Sequence, residues 1–486
     1  MTSSRPRWWR PWSDEVRWQA QARKTAAALD DETFLTWLDG SGVEAANVSY
    51  GEVWSRSAFV GEWLLKDIGL APGDRAMLVY APGPEFFVAF VASLRAGVSA
   101  VPNYPPDPAN LGRGLEKLDI VATTCGAEVG LTDSVVHKLR VTTSVWHAWP
   151  ARRWHSTQAQ RRALDVRLGD FAKSGRLHDL QDPTERVVGV SWLPQFHDLG
   201  LIAMLMGPFC AGYHMVNFSP LSFLADPLAW MRAVSKYRAF WTAAPDFAYQ
   251  LCTKRSARAD VSDIDLSCVS HLVCGAGQRC MPSILREFAS YFGTSCNLPD
   301  EGNCDIFAPT YGLAEHVAST CGETTGIFTS RRRPDIASCG SEFLIDVLLV
   351  DADTRRVVAS DGTPGEVWLS SGSIAQGYWG KPELSTETFS ARVDPDDGKV
   401  YLRTGDEAFV EDGRLFICGR IEDSIIIAGK KYYSDDIEIV ATEAMADAAR
   451  PGCIAAFAVV NNDDEGSEYP YGAKQFETRC YLEGFE

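Results

Sequence analysis

Short apolar runs of strand length alternate with helix-like stretches along most of the chain. The run RAMLVYA, residues 75–81, predicts a buried strand, and GPEFFVAFVASLRAG, residues 83–97, predicts a helix that a glycine ends. The same order recurs where SHLVCGAGQ, residues 270–278, is followed by the helical pattern MPSILREFASYFG. Because alternating strands and helices form parallel sheets with crossover helices, we expect two doubly wound α/β subdomains.

The pattern changes at about Ser338, where short strands are separated by turn residues. Asp-Gly and Pro-Gly mark tight connections in FLIDVLLVDADTRRVVASDGTPGEVWLSSG. After Arg420, the segment SIIIAGKKYYSDDIEIVATEAMA predicts a strand, a loop and a helix. The expected fold is therefore α/β. A large N-terminal domain over residues 1–418 contains the two doubly wound subdomains and a small β-rich subdomain, and residues 419–486 form a smaller α+β C-terminal part.

Composition and charge narrow the possible partners. The 486 residues are 46% hydrophobic and 23% charged, as in ordinary globular proteins of several domains. A net charge of −18 disfavours nucleic acid and anionic lipid, which lysine and arginine clusters hold. The longest apolar run, residues 201–216, is interrupted by glycine and proline and is too short to span a bilayer. Without a signal-peptide pattern, we expect a cytoplasmic protein with a small-molecule or protein partner.

The cysteines give no sign of a metal site or of a disulfide framework. All 13 are scattered between Cys125 and Cys480, without a CxxC pair or a repeated spacing. Their odd number in a large chain indicates reduced thiols. The sequence therefore predicts neither a zinc site nor structural disulfides.

Four polar motifs could form a functional site, and the last of them begins at Gly419. His197 and Asp198 follow the apolar run VVGVSW, as expected for groups at the carboxyl end of a strand. YGLAE, residues 311–315, follows another apolar run, and RTGD, residues 403–406, is expected to end a strand. Each motif is also common in structural turns, so none identifies an activity by itself.

In their order along the chain, the motifs resemble the adenylate-forming (AMP-dependent synthetase and ligase) superfamily, and within it the fatty acyl-AMP ligases. The matching segments cover most of residues 34–438, apart from a stretch at about residues 141–180. The resemblance implies an enzyme that uses ATP and Mg²⁺ to convert a long-chain fatty acid to an acyl-adenylate. The acyl group then passes to an acyl carrier protein or a polyketide synthase module in lipid or polyketide synthesis. These segments are SWLPQFHDLGLI, AAPDFAYQLC, PTYGLAE, GEVWLSSGSIAQGYWGKPELSTETF and YLRTGDEAFVEDGRLFICGRIEDSIIIAGKKYYSDDIE, together with the strand and helix of residues 69–108.

The resemblance also implies roles for single residues. It places Asp406 at the ribose hydroxyls, where an ionised carboxylate accepts hydrogen bonds, with Arg420 donating from the opposite side. It assigns Glu315 to Mg²⁺, which prefers carboxylate and phosphate oxygens, and His197 to the substrate carboxylate and the α-phosphate. Asp423 matches the hinge before the lid. The residues that it places around the adenine are Gly275, Ala276, Gly277, Tyr311 and Gly312.

The sequence departs from the family in two places that matter for catalysis. The family carries a Ser/Thr/Gly-rich phosphate loop ending in Pro-Lys-Gly before the His-Asp motif, and here residues 180–190 run directly into the strand. We therefore expect a deletion there. The family's catalytic lysine has no match after Asp423, so we expect a truncated lid. Because losing one preorganised donor costs about 10²- to 10³-fold in rate, the activity should be impaired.

Three functions stay open from sequence alone. The first is the fatty acid-activating ligase described above. The second is a catalytically inactive acyl- or nucleotide-binding module, or a scaffold, within a larger lipid-handling protein. The third is an acyl-coenzyme A ligase relative, because the segment that follows YGLAE is short for a fatty acyl-AMP ligase. The expected ligands are a fatty acid and a carrier protein, with coenzyme A less favoured, and we expect neither nucleic acid nor a membrane span.

Overall fold

The computed structural model describes residues 15–144, 147–151, 153–157, 186–275, 279–299, 304–317, 320–322, 326–343, 345–359, 361–395, 397–427, 430–445, 454–460 and 474–479. The chain divides into two compact units. Unit 1 consists of residues 1–243, 268–270 and 378–382. Unit 2 consists of residues 244–267, 271–377 and 383–486.

Unit 1 alternates strands and helices as the apolar pattern predicts. Its helices are α1 (Glu15–Ala28), α2 (Tyr50–Lys66), α3 (Pro84–Ala96), α4 (Leu111–Cys125), α5 (Ser134–Thr143), α6 (Gly207–Ala211), α7 (Pro220–Ala225) and α8 (Leu228–Tyr237). Its strands are β1 (Thr33–Leu38), β2 (Glu44–Ser49), β3 (Arg75–Val79), β4 (Ser99–Asn103), β5 (Val129–Thr132), β6 (Arg153–Ser156), β7 (Val188–Ser191), β8 (His214–Asn217) and β9 (Trp241–Ala244). A 3₁₀ turn covers Pro108–Asn110, and a π-helix covers Leu199–Met206.

Two groups of strands form the sheets of unit 1. One sheet is fully parallel and has the order β4-β3-β5-β6. The other group has the order β9-β7-β8-β1-β2 and is parallel except for the β1–β2 hairpin. Strand β3 is buried over Ala76–Val79, as expected for a strand covered on both faces. Helix α3 begins at Pro84 and is followed by Gly97 in the left-handed conformation, which confirms the predicted boundaries.

An aromatic cluster fixes α2, α3 and α6 against β1. The rings of Phe34, Tyr50, Phe87 and Phe209 lie with neighbouring centroids 4.9–5.6 Å apart. The buried hydroxyl of Tyr50 donates a hydrogen bond to the Tyr213 carbonyl oxygen at 2.6 Å. Burying these large rings with a satisfied hydroxyl is the main apolar contribution at this end of the unit.

Unit 2 combines α/β and β-rich parts. Its helices are α9 (Asp246–Ser256), α10 (Pro282–Cys296), α11 (Pro382–Phe389) and α12 (Ser434–Met445), with a 3₁₀ turn at Ala314–His316. Its strands are β10 (His271–Cys274), β11 (Phe307–Tyr311), β12 (Cys321–Gly322), β13 (Glu342–Phe343), β14 (Asp346–Val350), β15 (Gly365–Ser370), β16 (Leu402–Glu411), β17 (Arg414–Arg420), β18 (Ser424–Ile427), β19 (Lys430–Tyr433), β20 (Ala455–Val460) and β21 (Lys474–Arg479).

The strands of unit 2 form four sets. Strands β10 and β11 are parallel, and β12 and β13 continue from β11 in antiparallel order. Strands β14 to β17 form an antiparallel sheet in sequence order, which is the β-rich subdomain that the turn residues predict. The pairs β18–β19 and β20–β21 are two antiparallel hairpins.

Two local predictions are wrong. RTGD does not end a strand but lies in the first half of β16, where Asp406 pairs with Arg420 on β17. Residues 430–433, predicted as loop, form β19 because they pair in register with β18. In each case pairing or packing with a distant segment overrides the local signal.

In the described part of the chain, no helix combines the length and the apolar character that crossing a membrane requires.

We predict that Gly189→Ala destabilises the protein by about 1–3 kcal/mol. Gly189 is a buried residue of β7, and an added Cβ would lie 2.8 Å from both Met215 Sδ and Trp241 Nε1. The matched control is Gly112→Ala in the first turn of α4, where no heavy atom lies within 4 Å of the added Cβ. That control should be neutral or stabilising by up to about 1 kcal/mol. Thermal unfolding midpoints compare the two variants, and an unchanged midpoint for Gly189→Ala would contradict this packing.

Candidate active site

The candidate nucleotide site in unit 2 is built around the buried carboxylate of Asp406. Its side chain is only 9% exposed, and its Oδ2 accepts a hydrogen bond from the Tyr311 hydroxyl at 2.5 Å. On the adjacent strand, Arg420 Nε lies 3.6 Å from Asp406 Oδ1. A buried carboxylate requires such partners, because an unpaired charge away from water is strongly unfavourable. The structure therefore brings together three residues that the family resemblance assigns to the nucleotide.

The electrostatic balance at Asp406 is set chiefly by burial. Burial raises the pKa of the Asp406 carboxyl, and the hydrogen bond from Tyr311 and the charge of Arg420 lower it. The nearby Glu315 and Glu366 carboxylates raise it as well, so that the net change is a rise. Burial also raises the pKa of the Tyr311 hydroxyl, and the Asp406 charge raises it further. The hydroxyl thus stays protonated and serves as a donor to the carboxylate.

The backbone before Asp406 is shaped by the RTGD residues themselves. Gly405 has φ 73°, in the left-handed region that favours glycine. Its N–H donates to Glu366 Oε1 at 3.2 Å, and the Asp406 N–H donates to Thr404 Oγ1 at 3.0 Å. Glu366 is itself buried. These bonds hold Asp406 inside a continuous strand, which explains why the motif does not end β16.

Glu315, the predicted magnesium residue, lies in a short turn held by a second segment of unit 2. Its carbonyl oxygen accepts a hydrogen bond from the Ala375 N–H at 2.8 Å. The adjacent His316 is buried, and its Nε2 lies 3.0 Å from Ser371 Oγ and 2.8 Å from Ser373 Oγ. The Glu315 side chain is partly exposed, and its charge is near enough to act on the Asp406 carboxyl. The turn therefore presents a carboxylate beside the nucleotide cluster.

Gly275 follows β10 and lies against the end of β11. A Cβ on this residue would lie 2.6 Å from Thr310 Cγ2 and 3.0 Å from the Thr310 carbonyl oxygen. Close packing of the two strands thus requires a glycine at this position, which the family resemblance places beside the adenine. Gly312 follows Tyr311 directly and is partly buried. Two further predicted residues, Ala276 and Gly277, lie outside the described residues.

Two more predicted residues lie elsewhere in the chain. Asp423 is exposed in the turn between β17 and β18, where a hinge is predicted. His197 belongs to unit 1, and its Nδ1 lies 2.7 Å from Asp198 Oδ1. The hydrogen bond to Asp198 raises the pKa of His197. With Nδ1 engaged by the carboxylate, Nε2 is the ring nitrogen directed to other partners.

The π-helix explains the residues that follow the His-Asp pair. Asp198 Oδ1 accepts a hydrogen bond from the Leu199 N–H at 2.7 Å, at the start of the π-helix. A Cβ on Gly200 would lie 2.2 Å from the Pro194 carbonyl oxygen, so this position excludes a side chain. The sequence FHDLG thus contains both the polar pair and the glycine that lets the chain fold back at this point.

Arg279 is a buried residue that the sequence argument missed. Its side chain is 3% exposed, and its guanidinium lies 2.7 Å from Asp436 Oδ1 and 3.5 Å from Asp435 Oδ2. Arg333 also contacts Asp436, at 2.8 Å. Both carboxylates lie in the first turn of α12, just beyond the predicted hinge. The only sequence signal was an Asp pair at a helix start, where acidic residues are common anyway.

The same cluster perturbs Asp246, at the start of α9. Burial raises the pKa of Asp246 to about 6, the charge of Asp435 raises it further, and Arg279 opposes the rise. The pKa of Asp435 is also raised, because burial outweighs the lowering effect of the Arg279 charge. Asp246 and Asp435 therefore each carry a cost of ionisation.

A model of the AMP-binding enzyme family matches residues 16–185 and 169–379. The long-chain-fatty-acid–AMP ligase FadD26 of Mycobacterium marinum is 30% identical over 510 residues, covering 92% of this chain and 84% of FadD26. The medium-chain-fatty-acid–acyl-carrier-protein ligase JamA of Moorena producens is 28% identical, covering 83% of this chain and 76% of JamA. A crystal structure of a fatty acyl-adenylate ligase from L. pneumophila, in complex with acyl adenylate and pyrophosphate, superposes with TM-score 0.70 and 25% identity over 91% of this chain and 84% of that chain.

An α/β fold with the buried Tyr311–Asp406 pair and the exposed Arg420 beside it fits an adenylate-forming enzyme as the class of protein. The chain belongs to the AMP-binding enzyme family, which its family match and its similarity to FadD26 show. The predicted resemblance to the fatty acyl-AMP ligases and the predicted α/β fold are therefore confirmed. The roles of single residues and the domain boundaries stay predictions.

We predict that Asp246→Asn stabilises the protein at pH 8 by about 1–3 kcal/mol, with little effect near pH 4. The pKa of about 6 in the folded protein exceeds the ordinary aspartate value of 3.8. The wild-type carboxyl therefore contributes stability below pH 3.8 and loses it as the pH rises through 6. The side-chain amide of the variant does not ionise, so the variant loses no stability over this pH range. Thermal midpoints at several pH values test this, with the exposed Asp353→Asn as the charge control. A pH-independent difference would contradict the argument.

Proposed function

We propose that this chain activates fatty acids by adenylation. The fatty acid carboxylate attacks the α-phosphate of ATP, pyrophosphate leaves, and the acyl-adenylate then passes its acyl group to a thiol. The observation that carries the proposal is the buried Tyr311–Asp406 pair with the exposed Arg420 beside it, in a chain similar over most of its length to a long-chain-fatty-acid–AMP ligase. The similarity to a ligase structure in complex with acyl adenylate supports the same reaction.

Asp406 and Arg420 have the chemistry to bind the ribose. The Tyr311 hydroxyl occupies one oxygen of Asp406, and a carboxylate has further lone pairs for the two ribose hydroxyls. Arg420 is 62% exposed at its side chain, so its guanidinium is accessible to a ligand. Burial raises the pKa of Asp406, and the hydroxyl donors of a bound ribose would lower it again by stabilising the ionised form.

Glu315 fits the predicted magnesium role by the type of its donor atoms. Mg²⁺ in nucleotide sites takes one or two carboxylates together with phosphate oxygens, and Glu315 supplies one partly exposed carboxylate. The described residues contain no group of three His, Cys, Asp or Glu side chains able to hold an ion alone. When bound, the ion would neutralise phosphate charge. His197 would hold the fatty acid carboxylate through Nε2, with Asp198 fixing the ring.

The proposal includes a missing phosphate loop. The family match falls into two parts that overlap at residues 169–185, immediately before the strand that leads to His197. This break supports a deletion near residues 180–190, although residues 158–185 lie outside the described part. Without the loop, ATP loses the donors that hold its triphosphate, while the contacts to ribose and adenine stay in the chain. Binding of the acyl-adenylate should therefore survive better than its formation.

For the acyl acceptor, we propose the thiol of a carrier protein in the cytoplasm. The similarity to JamA, a ligase for an acyl carrier protein, supports this choice. Coenzyme A is the second candidate, favoured by the short sequence CGETTGIFTSRRRPDIASCG after YGLAE. Supplying the preformed dodecanoyl-adenylate together with either coenzyme A or a carrier protein separates the two acceptors. Thioester formation with coenzyme A alone would contradict the proposed acceptor.

We predict that Asp406→Asn weakens binding of dodecanoyl-sulfamoyladenosine, a stable acyl-adenylate analogue, about 5- to 150-fold, equivalent to about 1–3 kcal/mol. The substitution removes the charge that accepts the ribose hydroxyls. The matched control is Asp412→Asn, which makes the same change at an exposed turn between the same two strands. Isothermal titration calorimetry measures both. Equal affinity of Asp406→Asn and wild type would remove Asp406 from the site.

We predict that formation of dodecanoyl-adenylate from α-³²P-labelled ATP is at least about 10²-fold slower than in a relative with an intact phosphate loop, because several donors are lost together. The stable analogue should still bind. A rate within tenfold of the intact relative would refute the deletion argument. If the analogue does not bind at all, the proposed function itself is rejected.

A further inference from the structure

Two buried cysteines flank the segment that the family resemblance assigns to adenine. Cys274 is the last residue of β10, and Cys280 lies two residues before α10 begins. Their sulfur atoms are 3.1 Å apart, and both residues are at most 2% exposed. A disulfide has a sulfur–sulfur distance of about 2.0 Å, so an approach of about 1 Å would join them. Their separation in sequence gave no sign of this contact.

Cys280 also contacts the strand that carries Tyr311. Its thiol donates toward the Cys274 carbonyl oxygen at 3.2 Å and toward the Cys274 sulfur. The backbone N–H of Thr310 hydrogen-bonds to the Cys280 sulfur. Thr310 precedes Tyr311, whose hydroxyl binds Asp406. Moving the Cys280 sulfur toward Cys274 therefore disturbs the backbone next to the residue that holds the central carboxylate.

The segment between the two cysteines contains the other groups that a disulfide would constrain. It starts with Gly275, which is packed against Thr310 with no room for a Cβ. It ends with Arg279, whose guanidinium binds Asp436 at 2.7 Å. Closing a covalent ring between residues 274 and 280 would restrict the backbone from Gly275 to Arg279 at both of these contacts.

We propose that Cys274 and Cys280 are a modification site, a dithiol that a two-electron oxidant such as hydrogen peroxide converts to a disulfide, and that the disulfide weakens nucleotide binding. The effect on binding rests on the proposed function of the site, whereas the disulfide does not. The first thiolate attacks a peroxide oxygen, the O–O bond breaks, and a sulfenic acid and water form. The second thiol then attacks that sulfur, so that an S–S bond forms and a second water leaves. Two thiols and one peroxide thus give one disulfide and two waters.

The surroundings of the two thiols should make their oxidation slow at neutral pH. The hydrogen bond from Cys280 lowers the pKa of Cys274, but burial and the Asp246 charge raise it, with a net rise. Donation to Cys274 and burial raise the pKa of Cys280, and the charges of Cys274 and Asp246 add to this. Burial also raises the pKa of the neighbouring Cys339. Because the thiolate is the reactive form, oxidation should accelerate as the pH rises.

The test is oxidation of the purified chain with hydrogen peroxide, followed by blocking of remaining thiols with N-ethylmaleimide. Mass spectrometry of the digest should show Cys274 and Cys280 joined with the loss of two hydrogens. Binding of dodecanoyl-sulfamoyladenosine should weaken at least about fivefold, as when one hydrogen bond to a charged group is disturbed, and should recover after dithiothreitol. Cys280→Ala and Cys274→Ala should form no such disulfide and should keep their affinity after peroxide. Cys125→Ser, in unit 1, is the matched control and should behave as wild type.

Absence of the 274–280 disulfide in peroxide-treated wild type would overturn the proposal, and so would a disulfide that leaves analogue affinity unchanged. Reversal by dithiothreitol in the wild type needs no variant, so a variant that fails to fold does not prevent a decision. If the reduced chain does not bind the analogue, the proposed function and the effect on binding both fail. The disulfide itself is then still decided by mass.

Discussion

The hydrogen bond between the Tyr311 hydroxyl and the Asp406 carboxylate is the interaction on which unit 2 most depends. It joins the end of the parallel strand β11 to the antiparallel strand β16, although the two residues are 95 positions apart in the sequence. Both groups are buried, so removing either one leaves the other without its partner in a low-dielectric interior. The α/β part and the β-rich part of this unit are therefore tied together by the same contact that shapes the candidate nucleotide site.

Sequence predicts an element well where its end signals are local. Helix α3 is bounded by Pro84 and Gly97, and both residues act through their own backbone geometry. Prediction fails where a partner far away in the sequence determines the local structure. Gly405 has the conformation of a turn residue, yet Glu366 from β15 binds its N–H and keeps it within a strand. Residues 430–433 likewise become a strand only because β18 pairs with them.

In the candidate site, too, some residues are predictable from sequence and others are not. Asp406, Arg420 and Tyr311 are found through the family resemblance because each lies in a recognisable motif, and the structure brings them together. Arg279, His316 and the Cys274–Cys280 pair have no motif in the sequence. Their significance arises from contacts with residues far along the chain or from a distance between two sulfur atoms. Such contacts depend on the packing of whole elements, which no local pattern contains.

The ion pairs of Arg279 have a consequence for any rotation of α12 about Asp423. Such a rotation would separate the guanidinium from Asp435 and Asp436 before water could solvate all three groups. The transition state would then carry partly unsolvated charge, so the helix should move by infrequent, thermally activated jumps. Because Arg279 is buried while its partners are partly exposed, these ion pairs are only partly screened, and ionic strength should change the frequency of the jumps less than it would for a fully exposed pair. Movement of α12 would thus be limited by charge solvation more than by the stiffness of the connecting turn.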